Sequence, residues 1–264
     1  MTELLNLDID DRGVATVTLS RPEVHNAFNA ELVAELSAAF DRTVNENARV
    51  MVLTGEGTSF SAGADLNWMR AMVRASESEN RDDARRLAAM LRKLDQLPCP
   101  TIARVNGHAF GGAVGLIACC DLAVAVDTAK FGLTEVRLGL APATIAPFVI
   151  ACIGINQARH YMLTGDRIDA ERAMHIGLVG DIVAESQLDD HISGRIRQLL
   201  AGGPHAQAHC KELIHTIASG RHDPVETDHR AAELIAALRV SREGQEGLNA
   251  FLEKRKPSWV AGDS

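Results

Sequence analysis

Several absences narrow what this 264-residue chain can do before any motif is read. Basic charge is not in excess: 27 Lys and Arg against 35 Asp and Glu leave a net charge of -8. That balance argues against a nucleic-acid surface and supplies no basic run for a membrane. An anionic substrate would therefore need local basic groups or backbone donors. No long hydrophobic run exists, because Asp121 and Asp127 interrupt the best candidate short of the ~18 apolar residues of a membrane span. The opening residues, Met1-Thr-Glu-Leu-Leu-Asn-Leu-Asp8, are acidic and lack the apolar stretch of a secretory signal. Cysteines are few and odd in number: Cys99, Cys119, Cys120, Cys152 and Cys210. Three of them have apolar neighbours, which predicts small buried hydrophobes in a reducing cytoplasm rather than a disulfide framework. Metal spacing is missing too, since His205 and His209 stand four apart on a predicted helix with no third ligand.

Three common glycine-loop signatures are also absent. Gly107-His-Ala-Phe-Gly-Gly112 does not supply the Gly-x-Gly-x-x-Gly of a dinucleotide site. No Gly-Lys-Ser/Thr phosphate loop occurs. Ser61 lies in Ser-Phe-Ser-Ala-Gly, not in the Gly-x-Ser-x-Gly of a serine hydrolase.

What is present is an α/β pattern with 46% hydrophobic residues, enough for one large domain or a core with a small appendage. Strands are predicted at Ala15–Leu19, Val50–Leu53, Thr101–Val105, Leu122–Val126 and Val179–Val183. Helices are predicted at Ala27–Asn45 with Asn29 as a cap, from Leu66, over Glu77–Leu97, through the uncharged run Phe110–Cys120, and near Ile145–Cys152, Asn156–Leu163 and Asp169–Ile176. Beyond Ala201-Gly-Gly-Pro204 only helical patterns follow: Pro204–Ala218, Pro224–Val240 and Ser241–Lys256. This change divides the chain into an α/β core, residues 1–200, and a helical C-terminal segment, residues 201–264.

Two junctions pass from strand through small residues into helix: Phe60-Ser-Ala-Gly-Ala-Asp65 and the stretch holding Gly107, Gly111, Gly112 and Gly115. Glycine costs a helix about 1 kcal/mol relative to alanine, so a cluster at a helix start needs a reason. One reason is tight packing. The other is close approach of a ligand to the first helical N–H groups, which lack internal partners and carry the positive end of the helix dipole. Two such junctions, each offering an N–H, would form a two-donor oxyanion hole.

These residues carry a resemblance. Phe60-Ser-Ala-Gly-Ala-Asp-Leu66, Asn106-Gly-His-Ala-Phe-Gly-Gly112 and Phe131-Gly-Leu-Thr-Glu-Val-Arg-Leu-Gly-Leu-Ala-Pro142 resemble the crotonase (enoyl-CoA hydratase/isomerase) superfamily. The likeness runs from Leu19-Ser-Arg-Pro to Glu243–Lys256. Within it, the motifs are most similar to bacterial hydratases of the methylglutaconyl-CoA type, from leucine and acyclic-terpene breakdown. The resemblance implies a spiral of ββα units with a helical C-terminal segment that assembles homotrimers, often paired into homohexamers. It implies a thioester oxygen held by the backbone N–H groups of Ala64 and Gly112, with Glu135 as acid/base. Val24 and the Ala62–Leu66 loop, including Asp65, would line the CoA path, and Phe251 and Lys254 would reach its nucleotide end. Trp68, Met69 and Met72 would shape the acyl pocket, where Arg70 or Arg74 either pairs with a distal carboxylate or stays solvated. No cofactor is implied beyond the CoA of the substrate.

Glu135 in an apolar setting should have a raised pKa, which suits proton transfer. Alternatively, it pairs with Arg137 or Arg104 as a structural carboxylate. Lys254 has an alternative too, as a solvated cation at a helix end. Gly115 stands where ordinary hydratases of this superfamily carry a second glutamate. Three outcomes stay open: Glu135 alone adds water across the 2,3 double bond; Glu135 shuttles a proton between C2 and C4 as a Δ3,Δ2-enoyl-CoA isomerase; or another side chain, such as nearby His108, replaces the missing acid. A non-catalytic acyl-CoA-binding protein is the reading from outside enzymology.

Overall fold

The computed structural model describes residues 4–218 and 223–260. The chain opens with β1 (Leu5–Ile9) and β2 (Val14–Leu19), an antiparallel pair, followed by helix α1 (Ala30–Asn45) and strand β3 (Val50–Gly55). Asn29 caps α1 by accepting from the Leu32 N–H at 2.8 Å, as its place before the apolar periodicity predicts. Next come β4 (Ser59–Ser61), α2 (Leu66–Arg74), α3 (Glu77–Asp95), β5 (Thr101–Val105), β6 (His108–Phe110) and α4 (Gly112–Cys119). A full capping box starts α3: the Ser76 hydroxyl accepts from the Glu79 N–H, and the Glu79 carboxylate accepts from the Ser76 N–H.

The remaining elements are β7 (Leu122–Val126), β8 (Lys130–Gly132), α5 (Ala146–Thr164), β9 (Arg167–Asp169), α6 (Ala170–His175), β10 (Asp181–Val183), α7 (Leu188–Leu200), α8 (Pro204–Ala218), α9 (Pro224–Val240) and α10 (Arg242–Leu252). Two sheets result. The larger has the order β1-β2-β3-β5-β7-β10 and is parallel from β2 onward. Its central strand β3 is buried at every residue, which explains its unbroken apolar run. The smaller sheet, β4-β6-β8-β9, comprises strands of three residues each.

The second sheet, β1 and α7 are additions to the sequence reading. Short strands show no usable alternation, so β4, β6, β8 and β9 leave little trace in the pattern. The expected helix over Phe110–Cys120 begins only at Gly112, because residues 108–110 form β6, whose Ala109 and Phe110 pair with β8. The strand expected from Val179 starts at Asp181.

The small sheet positions the site. After β3 the chain turns through Gly55, where an added Cβ would lie 2.5 Å from the Phe60 carbonyl oxygen and 2.7 Å from Asn26 Nδ2. Each of β4, β6 and β8 then leads directly into a loop or turn that carries a candidate site residue. Arg49 ties this core to the chain's far end, donating to the carbonyls of Leu200, Gly202 and Trp259.

Candidate active site

The first loop runs from β4 through residues 62–65 into α2. The Phe28 N–H donates to the Gly63 carbonyl at 2.6 Å, and the Asp65 N–H donates to the Phe28 carbonyl at 2.8 Å. Phe28 and Ala64 thus form a parallel bridge in which Phe28 spends both backbone groups on the neighbours of Ala64. The N–H of Ala64 itself is turned to the opposite side, away from Phe28. Asp65 is buried and accepts from the Asn67 and Trp68 N–H groups, capping α2. Its other oxygen pairs with Arg21 at 2.9 Å, with the two side chains 8% and 12% exposed. Burial opposes ionisation of Asp65, but the Asn67 N–H and Arg21 outweigh it and hold the carboxyl below its ordinary range. Asp65 therefore braces the loop.

The second loop is Gly111-Gly112 at the start of α4. Gly111 has φ 54° and ψ -123°, a backbone state suited to glycine, and its N–H donates to the Gly132 carbonyl at 2.9 Å. Gly112 is the first helical residue, so its N–H has no acceptor within the helix and lies at the positive end of the dipole. The two loops abut. An added Cβ on Gly63 would lie 2.8 Å from the Phe110 carbonyl oxygen and 3.8 Å from Gly111 Cα. One on Gly112 would lie 2.8 Å from Cε2 of the Phe28 ring, which is 1% exposed beneath it.

Glu135 completes the group. It opens a 3-10 turn, Glu135–Leu138, just after β8. An added Cβ on Gly111 would lie 3.1 Å from its Oε1, so the carboxylate sits over the first turn of α4. Its Oε2 is buried without a protein partner, and burial pushes its pKa up. The alternative ion-pair partners are engaged elsewhere: Arg137 with Asp166 at 3.2 Å and Arg104 with Asp189 at 2.7 Å. A buried carboxylate oxygen that no side chain satisfies is costly as structure and useful as a proton acceptor.

The other expected residues are distributed around these three segments. Val24, half-buried, ends a 3-10 turn, Pro22–Val24, whose other two residues are exposed, while Ala62 and Leu66 are exposed along the first loop. Trp68 packs partly on the core, with Met69 and Met72 half-buried beside it on α2. Arg70 is exposed and donates to Asn67 Oδ1, and Arg74 is exposed. His108 is exposed on β6, where its Nδ1 accepts from the Lys130 N–H at 3.1 Å. Phe251, 81% exposed, lies on α10, which packs against α8 and α9; the exposed Lys254 follows with φ 56°. Among the described residues, no group of His, Cys, Asp and Glu could hold a metal ion.

Sequence reading missed the scaffold of the first loop. Asn26 is fully buried with φ 55°; its Oδ1 accepts from the Arg21 N–H, and its Nδ2 donates to the carbonyls of Glu56 and Ser59. Asn106 joins the ends of β3 and β5, accepting from the Gly55 N–H and donating to the Gly57 carbonyl. A polar amide directly after a strand or before an apolar run is the available signal for both.

Two abutting loops after β4 and β6, beside a carboxylate with one buried oxygen and set on two mixed, mainly parallel sheets, define an α/β enzyme of the crotonase fold. The sequence profile of the enoyl-CoA hydratase/isomerase family matches residues 10–262, and the chain belongs to that family. It is similar to the crystal structure of an enoyl-CoA hydratase from Shewanella pealeana, with 42% identity, TM-score 0.91 and coverage of 97% of this chain and 96% of that one. It is 32% identical over 254 residues to enoyl-CoA hydratase AKT6-1 of Alternaria alternata, covering 94% of this chain and 81% of the relative. It is also 29% identical over 256 residues to a trans-2-decenoyl-acyl-carrier-protein isomerase of Streptococcus mutans, covering 95% of both chains.

Proposed function

We propose that this enzyme hydrates the 2,3 double bond of a branched enoyl-CoA, such as 3-methylglutaconyl-CoA, with Glu135 as its single acid/base. The observation that carries the reading is the buried, unpartnered Glu135 Oε2 beside the Gly111-Gly112 turn. The thioester oxygen accepts from the N–H groups of Ala64 and Gly112, which draws electron density from C3 and stabilises the enolate that spreads over the thioester oxygen, C1 and C2 once C3 is attacked. Glu135 takes a proton from water as the hydroxide adds to C3, then returns that proton to C2 on the same face. The product gains one water and the carboxylate is regenerated. The Glu135 site needs no cofactor in this scheme.

Val24, Ala62, Asp65 and Leu66 line the path of CoA in this reading, with Trp68 at the acyl end. Phe251 and Lys254, within the assembling segment 201–264, reach the nucleotide end from a neighbouring subunit of a homotrimer or homohexamer in the cytoplasm. Support for assembly comes from exposed Val225, Val240, Leu248, Phe251 and Leu252 on α9 and α10. No helix of the described residues is long and apolar enough to cross a membrane.

A second reading, proton shuttling between C2 and C4, is favoured by the same lone carboxylate, and one similar protein bears an isomerase name. Incubation with 2-enoyl-CoA and with 3-enoyl-CoA separates the two. Hydration consumes the 2-enoyl ester with loss of its conjugated absorbance and leaves the 3-enoyl ester untouched. Consumption of the 3-enoyl ester with a rise in that absorbance would make the enzyme an isomerase.

A further inference from the structure

The small sheet has a second, outward face. In β6, β8 and β9 the middle residues turn inward: Ala109 and Phe131 are fully buried, and Ile168 packs on the core. Alternation turns the first and third residues outward: His108 and Phe110, Lys130 and Gly132, Arg167 and Asp169. Strand pairing sets Phe110, Gly132 and Arg167 abreast in one row, and Lys130 beside Asp169 in the next. His108 extends that second row, because its Nδ1 accepts from the Lys130 N–H at 3.1 Å. His108, Lys130 and Arg167 are all exposed, so this face is open to solutes.

Gly132 lets Arg167 cross the sheet. With no side chain in the way, the arginine stem passes over β8 and lays its guanidinium on the Phe110 ring, Cζ 4.9 Å from the centroid. A Cβ on Gly132 would lie 3.3 Å from Phe110 Cδ1 and 3.5 Å from Arg167 Cγ, so even one methyl group would crowd the pair. The His108 ring flanks the same phenyl ring, 6.2 Å between centroids. Because its Nδ1 is an acceptor, the neutral ring carries its proton on Nε2, as a donor. Among the described residues, neither Arg167 nor Lys130 pairs with a carboxylate. Asp169, the acid at the end of the second row, accepts from the Arg172 N–H at the start of α6.

We propose that this face is a phosphate-binding site, in which the Arg167 fork, Lys130 and His108 Nε2 donate to a phosphate group, free or as a monoester. A planar fork already seated on a ring is preorganised to give two N–H bonds to two phosphate oxygens. Lys130 adds a compact charge diagonal to it across β8 and β9, within reach of a long side chain. In a chain of net charge -8, these groups supply the local positive potential that an anion needs. The site uses none of Ala64, Gly112 and Glu135, and it does not rest on the acyl-CoA reading.

Calorimetric titration of the intact protein at low ionic strength tests the site, with inorganic phosphate and glycerol 3-phosphate as ligands and chloride at matched ionic strength as control. Saturable binding of a phosphate supports it. The tighter ligand names the source, and equal affinity makes the phosphate group itself the recognised part. Arg167→Met should weaken that binding about tenfold and Lys130→Met about threefold. Arg167→Lys should recover only part of the loss, because the charge returns without the fork. Gly132→Ala keeps every charge but crowds Arg167 on Phe110, so it should also weaken binding. Arg42→Met, which removes an exposed charge from α1, should leave the affinity unchanged. No saturable binding of either phosphate, or equal affinity in wild type and Arg167→Met, overturns the proposal. An Arg42→Met loss as large as that of Arg167→Met also overturns it, since net charge alone would then explain the uptake. So does wild-type affinity in Gly132→Ala, because the seat on Phe110 would then not matter.

Discussion

Glu135→Gln is expected to lower the hydration rate by about 10²–10⁴ while CoA-ester binding persists, the range typical for loss of a general acid/base. Gln keeps the shape of the side chain, so its place against Gly111 survives and only the ability to exchange a proton is removed. The stability change separates this role from a structural one. Burial raises the pKa of Glu135 in the folded protein above its unfolded value, so between the two values the native state binds more protons than the unfolded state. Stability therefore falls as pH rises through that window, and above it the full cost of holding a buried charge is present. A neutral Gln removes that cost, so Glu135→Gln should melt at or above the wild-type temperature at neutral pH. A carboxylate engaged in a structural ion pair would behave oppositely, because its loss would orphan the partner. A variant with full activity would remove Glu135 from the reaction.

Gly112→Pro should cost about 10²–10³ in kcat, the usual loss of one oxyanion-hole donor. Proline suits the first position of a helix, where the missing N–H breaks no helical bond. The added Cβ is a complication, because it would lie 2.8 Å from the Phe28 ring. Gly112→Ala brings the same Cβ and keeps the N–H, so it is the matched control. The ratio of kcat between the two variants reads the donor, and the shared loss reads the displaced ring. Equal rates in Gly112→Pro and Gly112→Ala would show that this N–H does not serve the reaction.

Much of the architecture is legible in the sequence where burial imposes a period. Strand β3, buried throughout, reads as Val50-Met-Val-Leu, and α1 reads from Phe28, Leu32, Leu36 and Phe40 behind the Asn29 cap. Helix α5 reads as two pieces, and Gly154 inside it, with φ 75° and ψ 159°, is indeed non-helical. Helix α7 carries a core stripe, Leu188, Ile192 and Ile196, but Gly194 interrupts it and the pattern escapes notice. Strand β1 alternates at Leu5, Leu7 and Ile9, yet its polar residues Asn6 and Asp8 make it look like an acidic tail.

The candidate site divides along the same line. The glycines and Glu135 stand out because their chemistry is unusual for their positions. That Gly63, Gly111 and Glu135 meet depends on the register of three-residue strands, which no local pattern encodes. The filling of the space at Gly115 by Ile145 comes from elements brought together only by the fold.

The central claim is that one buried carboxylate does the proton transfer beside two backbone donors. The pH dependence of kcat/KM with a branched 2-enoyl-CoA tests it most directly. Glu135 must be ionised to accept a proton from water, and burial raises its pKa. The account predicts an acid limb of unit slope, with its midpoint above the about 4.3 of an ordinary glutamate. A limb of slope two, which would report a second acid, or a profile flat down to pH values near 4, would contradict it.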